Sequence, residues 1–168
     1  MSKSSYDNWN SAEGRAVVYF PEDSWHDLEF YCTDALGNVG ETDLEYFAVD
    51  TQAPVIIKEL IGPYSGDCLP EEDGDVCYID GITNISVTAR DPEPHPVDQV
   101  TCDWNYIVVD GQGSDGDENV VPPFIINFPE ESEHLLTITC RDALGNEITD
   151  VETFLVDHTP PGIEKVYS

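Results

Sequence analysis

Apolar and polar residues alternate with a period of two along most of this chain. Ile85, Val87 and Ala89 alternate with Ser86 and Thr88, and Val100, Cys102, Trp104 and Tyr106 share one face of the next segment. Leu136, Ile138 and Cys140 share a face further on, as Leu28, Phe30 and Cys32 do near the start. Phe154 pairs with Val156, and Phe47 with Val49, in the same way. Successive side chains of a strand point to opposite faces, so this spacing predicts half-buried strands. Helical spacing is nowhere sustained, and proline and glycine punctuate the junctions. The pattern predicts strands at 55–60, 82–90, 100–109, 124–128, 134–141 and 147–156, with a short one around 76–79. Six or seven short strands over about 100 residues predict a two-sheet sandwich with Trp104 in its core.

Part of the pattern occurs twice. Phe20-Pro21-Glu22-Asp23-Ser24-Trp25-His26 returns as Phe128-Pro129-Glu130-Glu131-Ser132-Glu133-His134. Cys32-Thr33-Asp34-Ala35-Leu36-Gly37-Asn38 returns as Cys140-Arg141-Asp142-Ala143-Leu144-Gly145-Asn146. Val49-Asp50 returns as Val156-Asp157, each followed shortly by proline. Each Asp-Ala-Leu-Gly-Asn reads as a tight turn between two strands, because glycine accepts positive φ and the Asp and Asn side chains satisfy nearby backbone groups. Asp110-Gly111 predicts a further hairpin loop over 110–119. Residues 162–167 resemble 55–60 by position and read as the first strand of another copy. The expected organisation is therefore the C-terminal half of one repeat over 1–50, a complete β-sandwich domain over 55–157, and a linker plus an opening strand over 158–168. Such a division predicts a piece of a larger exported protein built from tandem modules.

Composition narrows the functional classes. The 168 residues hold 35 acidic side chains against 6 Lys plus Arg, a formal charge of −29, while 40% hydrophobic content suffices for a core. That surface repels phosphate backbones and anionic lipid, which excludes nucleic acid as a partner. It suits high salt, bound cations or a basic partner. Residues 1–13 are polar and no stretch reaches membrane-spanning length. The five cysteines fit an oxidising compartment. Cys68 and Cys77 bracket a short acidic loop and form one expected disulfide; Cys102 and Cys140, on neighbouring strands, form the other. Cys32, the repeat equivalent of Cys140, is then left unpaired. The alternatives are five thiols in a reducing cell, or a zinc site whose spacings do not match paired Cys-x-x-Cys knuckles.

The combination of a strand, Cys-x-Asp-x-x-Gly-Asn and a strand ending in Val-Asp with a proline beyond resembles the bacterial and archaeal immunoglobulin-like repeats of surface and secreted proteins. It includes the type named for a spirochaete outer-membrane protein. His26 and His134 stand where that family commonly has a histidine, and residues 91–97 resemble a loop of the same family. The resemblance covers most of 20–161 and implies an all-β, immunoglobulin-like or fibronectin-like sandwich repeat. It also implies roles as stalk, adhesive module or accessory domain beside an exported enzyme.

Candidate chemistry is sparse. The acidic run Asp110, Asp115, Asp117 and Glu118 supplies oxygen ligands of the kind calcium takes, although it lacks the glycine and glutamate spacing of an EF-hand loop. The plainer reading is a solvated hairpin tip. Glu71, Glu72, Asp73 and Asp75 form a second acidic run, and Asp50 or Asp157 with Asp34 or Asp142 offers a third cation arrangement at the junction of modules. His26 and His134 fall in separate repeats, which argues against a shared metal, and His95 lies in a loop. No phosphate loop, nucleophile elbow or zinc-protease helix is present, so the chain reads as non-catalytic. The expected role is a spacer or display repeat of an extracellular or cell-surface protein, with adjacent repeats as partners. The alternative is a module binding glycan or protein through 91–97 and 110–119, or an accessory domain of a secreted hydrolase, with calcium as the candidate cation. Strand exchange between chains, with 163–167 completing the half repeat, is a further expectation.

Overall fold

The computed structural model describes residues 17–66, 68, 76–93, 99–109, 111 and 113–166. The chain divides into two compact units, Met1–Thr51 and Gln52–Ser168. Among the described residues every regular element is a strand, and the strands form three sheets of two, three and six.

The first unit is an antiparallel hairpin of β1 (Ser24–Phe30) and β2 (Asp43–Val49). His26 stands opposite Phe47 and Leu28 opposite Glu45. Beyond β1 the pairing breaks and resumes only as an isolated bridge between Thr33 and Val39, around the Asp34 turn.

In the second unit, β3 (Val55–Ile61), β6 (Asn84–Arg90) and β9 (Phe124–Asn127) make the smaller sheet, in the order β3-β6-β9. The larger sheet contains β4 (Tyr64–Ser65), β5 (Cys77–Ile79), β7 (Thr101–Val108), β8 (Ser114–Val120), β10 (Glu133–Arg141) and β11 (Glu147–Val156). Its order is β4-β5-β11-β10-β7-β8, antiparallel throughout except for β5 beside β11. Period-two burial is complete on β10, where His134, Leu136, Ile138 and Cys140 are buried between half-exposed neighbours. Ile85, Val87 and Ile126 of the small sheet join Tyr106, Leu136, Ile138, Phe154 and Val156 of the large one in a single core with Phe128. This apolar layer between two sheets gives the unit its sandwich character.

Several expectations need correction. The loop expected over 110–119 is mostly strand, since Ser114–Val120 pairs with β7 as the outer edge of the large sheet. Its residues Ser-Asp-Gly-Asp-Glu-Asn-Val are exposed on both faces up to the last, so no apolar alternation marks them. Charged side chains on an edge discourage pairing with another chain, which fits that composition. Trp104 is only half-buried, and the enclosed large aromatics are Phe128 and Phe154. The strand expected from residue 82 starts at Asn84, because Asp80 holds a turn through Ile82 N at 3.0 Å and Thr83 N at 2.8 Å. The short β4 carried no sequence signal.

Candidate functional site

The repeated pentapeptides fold into the same local device. In the second unit the Asp142 Oδ1 accepts the backbone N–H groups of Leu144, Gly145 and Asn146 at 2.8, 2.7 and 2.9 Å. The Asn146 amide donates to Asp142 Oδ2 at 2.7 Å. In the first unit Asp34 Oδ1 accepts from Leu36 N and Asn38 N at 2.9 and 2.8 Å, and Asn38 Nδ2 donates to Oδ2 at 2.7 Å. Gly37 and Gly145 both hold positive φ, at 87° and 92°, where a side chain would be strained. A second contact also repeats: the Thr51 hydroxyl donates to Asp23 at 2.9 Å, and the Thr159 hydroxyl to Glu131 at 2.8 Å. The electrostatics differ in degree of burial. Burial pushes the Asp142 carboxyl up, but donation from Asn146, Leu144 and Gly145 together carries it below the usual value of 3.8. Asp34, in water, is held down chiefly by the Asn38 side chain.

Aspartates able to take part in divalent cation coordination are buried rather than at a loop tip. Asp50, Asp91 and Asp142 are each nearly enclosed. Within the second unit, Asp91 and Asp142 place carboxylate oxygens within 4.8 Å of one another. Asp142 already accepts four hydrogen bonds, so it has little acceptor capacity left for a cation. Asp50 and Asp142 were named from sequence as a junction arrangement, whereas Asp91 was not, and the described acids of the 110–118 run sit elsewhere. Asp115, Asp117 and Glu118 lie along β8, where Asp115 and Asp117 point to one face and Glu118 to the other. Asp115 Oδ1 accepts from Gly116 N, and Asp117 Oδ1 from Glu118 N, each at 2.9 Å. Asp110, the acids 71–73 and 75, and His95 lie outside the described residues. Asp157 accepts from Thr159 N at 2.9 Å and is exposed.

His134 is a core ring. It is wholly buried, stacks on Phe128 with centroids 4.5 Å apart, and meets the edge of Tyr106 at 5.3 Å. Its Nδ1 donates to the Ser132 carbonyl at 3.2 Å, while Nε2 is buried with no partner among the described residues. Burial lowers its affinity for a proton, against the opposing pull of the Ser132 carbonyl and Glu130. His26 repeats the stacking on Phe20, at 4.6 Å.

Cys102 stands directly opposite Cys140 in the pairing of β7 with β10, and the two form a disulfide with Cα atoms 4.0 Å apart. Cys68 and Cys77 form a second. Cys32 is free and exposed. Two disulfides suggest folding in an oxidising environment.

One cluster escaped the sequence reading. Lys58 lies on the inward side of β3 between Ile56 and Leu60, both packed against the core. Its ammonium donates to Asp150 Oδ2 at 2.6 Å and also to Glu152 Oε2. Both acids lie on the inward side of β11, in line with Phe154 and Val156. Side-chain exposure is 10% for Lys58, 25% for Asp150 and 18% for Glu152. Burial raises the Glu152 pKa, against the pull of Lys58. The available signal was three charged residues in register with core positions. A triad of one cation and two carboxyls is cheapest in a dry site when one acid keeps its proton. No family model matches the chain, and no curated protein matches it either.

Proposed function

We propose that this chain is a structural spacer or display segment of an exported, cell-surface protein, built from immunoglobulin-like modules in tandem. The observation that carries the reading is the duplicated hairpin. His26 faces Phe47 as His134 faces Phe154, and each hairpin closes through an Asp-Gly-Asn turn with the same acceptors. Duplication of an entire packing device supports a mechanical role. Adjacent repeats are the expected partners. Two disulfides supply stiffness and the charge of −29 supplies solubility. Stretching single molecules from their ends tests this: the spacer reading requires the second unit to resist extension as one cooperative event. Gradual yielding at low force, or glycan or protein capture abolished by changes at Asp115 and Asp117, would replace it with a binding module.

A second component, stabilisation by calcium, would rest mainly on Asp91 beside Asp142, because Asp142 is already engaged by four hydrogen bonds. Melting with calcium against melting with a chelator tests it, and identical curves exclude it.

A further inference from the structure

We propose that the folded second unit joins Lys58 to Asp150 by an amide bond, using Glu152 as its acid and base. The reactants are already gathered. The Lys58 nitrogen lies 2.6 Å from an Asp150 carboxylate oxygen, and the Glu152 carboxyl contacts the same nitrogen. All three side chains project between the sheets, beside Ile56, Leu60 and Phe154, with Lys58 and Glu152 largely buried and Asp150 a quarter exposed. Holding an amine against a carboxyl replaces a bimolecular encounter by a unimolecular step.

Sequence placement supports the same set of groups. The chain has three lysines, Lys3, Lys58 and Lys165. When 162–167 is laid over 55–60, Lys165 falls on Lys58. The acids recur too: Asp150 and Glu152 stand opposite Ile138 and Leu136, and Asp43 and Glu45 stand opposite Phe30 and Leu28. Lys165 lies outside any strand, so the recurrence observed in the strands is that of the acids, on β2 and β11, in a chain with few cations. An exposed ion pair would not need these core-facing positions.

The balance is a simple condensation. Proton transfer from the Lys58 ammonium to the Asp150 carboxylate leaves a neutral amine and a neutral acid. The amine lone pair attacks Asp150 Cγ, forming the C–N bond, while the Glu152 proton passes to the departing hydroxyl. The C–O bond breaks and water leaves. Glu152 then takes the extra proton from nitrogen and is regenerated, so no oxidant, reductant or cofactor is consumed. Glu152 is assigned the acid role because its carboxyl contacts the Lys58 nitrogen beside Asp150, in a place where burial raises its proton affinity. The product ties the first strand of the unit to its last across 92 residues of sequence. Formation of this bond does not depend on whether the chain serves as a spacer.

Intact mass after reduction, alkylation and denaturation is the test, with peptide mapping. The wild-type protein is expected to be lighter by one water than its sequence requires, with the Lys58 and Asp150 peptides recovered as one branched species. Lys58→Arg and Glu152→Gln, each checked for native strand content by circular dichroism, are expected to show full mass and separate peptides. A folded wild type of full mass overturns the proposal, as does a water loss mapped elsewhere. A branched peptide persisting in folded Glu152→Gln overturns the role given to Glu152.

Discussion

The hairpins β1–β2 and β10–β11 carry the same turn and the same register at their open ends, yet their surroundings are opposite. On β10, His134, Leu136, Ile138 and Cys140 are all buried. Their counterparts on and after β1 are half-buried at His26 and Leu28 and exposed at Phe30 and Cys32. The second hairpin is flanked by β7 and β5 and faces the residues of β6 and β9 across the core. The first forms a two-stranded sheet by itself. Local sequence therefore suffices to specify the turn and the pairing, while burial of the apolar face requires strands supplied from elsewhere in a module. A two-stranded hairpin on its own is marginal in water, so the β1–β2 pairing itself supplies less stability than the six-stranded sheet around β10–β11.

This comparison can be broken most directly in the core. Leu136→Ala is expected to cost the second unit about 2–5 kcal/mol, because Leu136 is fully enclosed, while Leu28→Ala at the matching position costs under about 1 kcal/mol. Urea unfolding followed by circular dichroism measures both, and equal losses would erase the distinction. Next comes the disulfide. Replacing Cys102 and Cys140 together by alanine is expected to cost about 2–4 kcal/mol in the same measurement. Asp142→Ala follows, with an expected loss of about 1–3 kcal/mol from stranding buried donors, and Asp34→Ala should cost less because water replaces its contacts. The Asp142 contribution is present above the ordinary carboxylate value of 3.8 and is lost as pH falls through its depressed folded value.

A smaller and more specific effect comes from His134. Its folded proton affinity lies below the ordinary value of 6.5, so the unfolded chain binds the proton first on acidification. Stability contributed by the neutral ring is full above 6.5 and declines as pH falls below it. Melting temperatures from pH 8 to 5 should therefore diverge between wild type and His134→Phe, with the wild type losing more on the acid side. Parallel curves would show that the ring does not titrate with unfolding. The smallest effect is expected at Cys32. Cys32→Ser should leave stability unchanged, and native alkylation should label Cys32 alone among the five cysteines.

Legibility followed the reach of each physical signal. Strands with one wet and one dry face announced themselves by alternation, which is why β3, β6, β7, β10 and β11 were readable to within a few residues at each end. The edge strand β8 was not, because neither of its faces enters the core and its polar residues imitate a loop. Trp104 misled for the converse reason: it shares a face with Cys102 and Tyr106, but its place near the sheet edge leaves it half-covered. Asp50 and Asp142 were legible from their repeated turn and linker positions, whereas Asp91 is an inconspicuous residue after β6.

By itself the sequence determined the all-β character, the duplication and the Asp-Gly-Asn turns, since each depends on residues close together in the chain. Only the tertiary structure decided that Lys58 meets Asp150 and Glu152, that Asp91 approaches Asp142, and that one hairpin is buried while its twin is not. Those outcomes depend on which strands become neighbours in space, and alternation within a strand carries no information about its neighbour across the core.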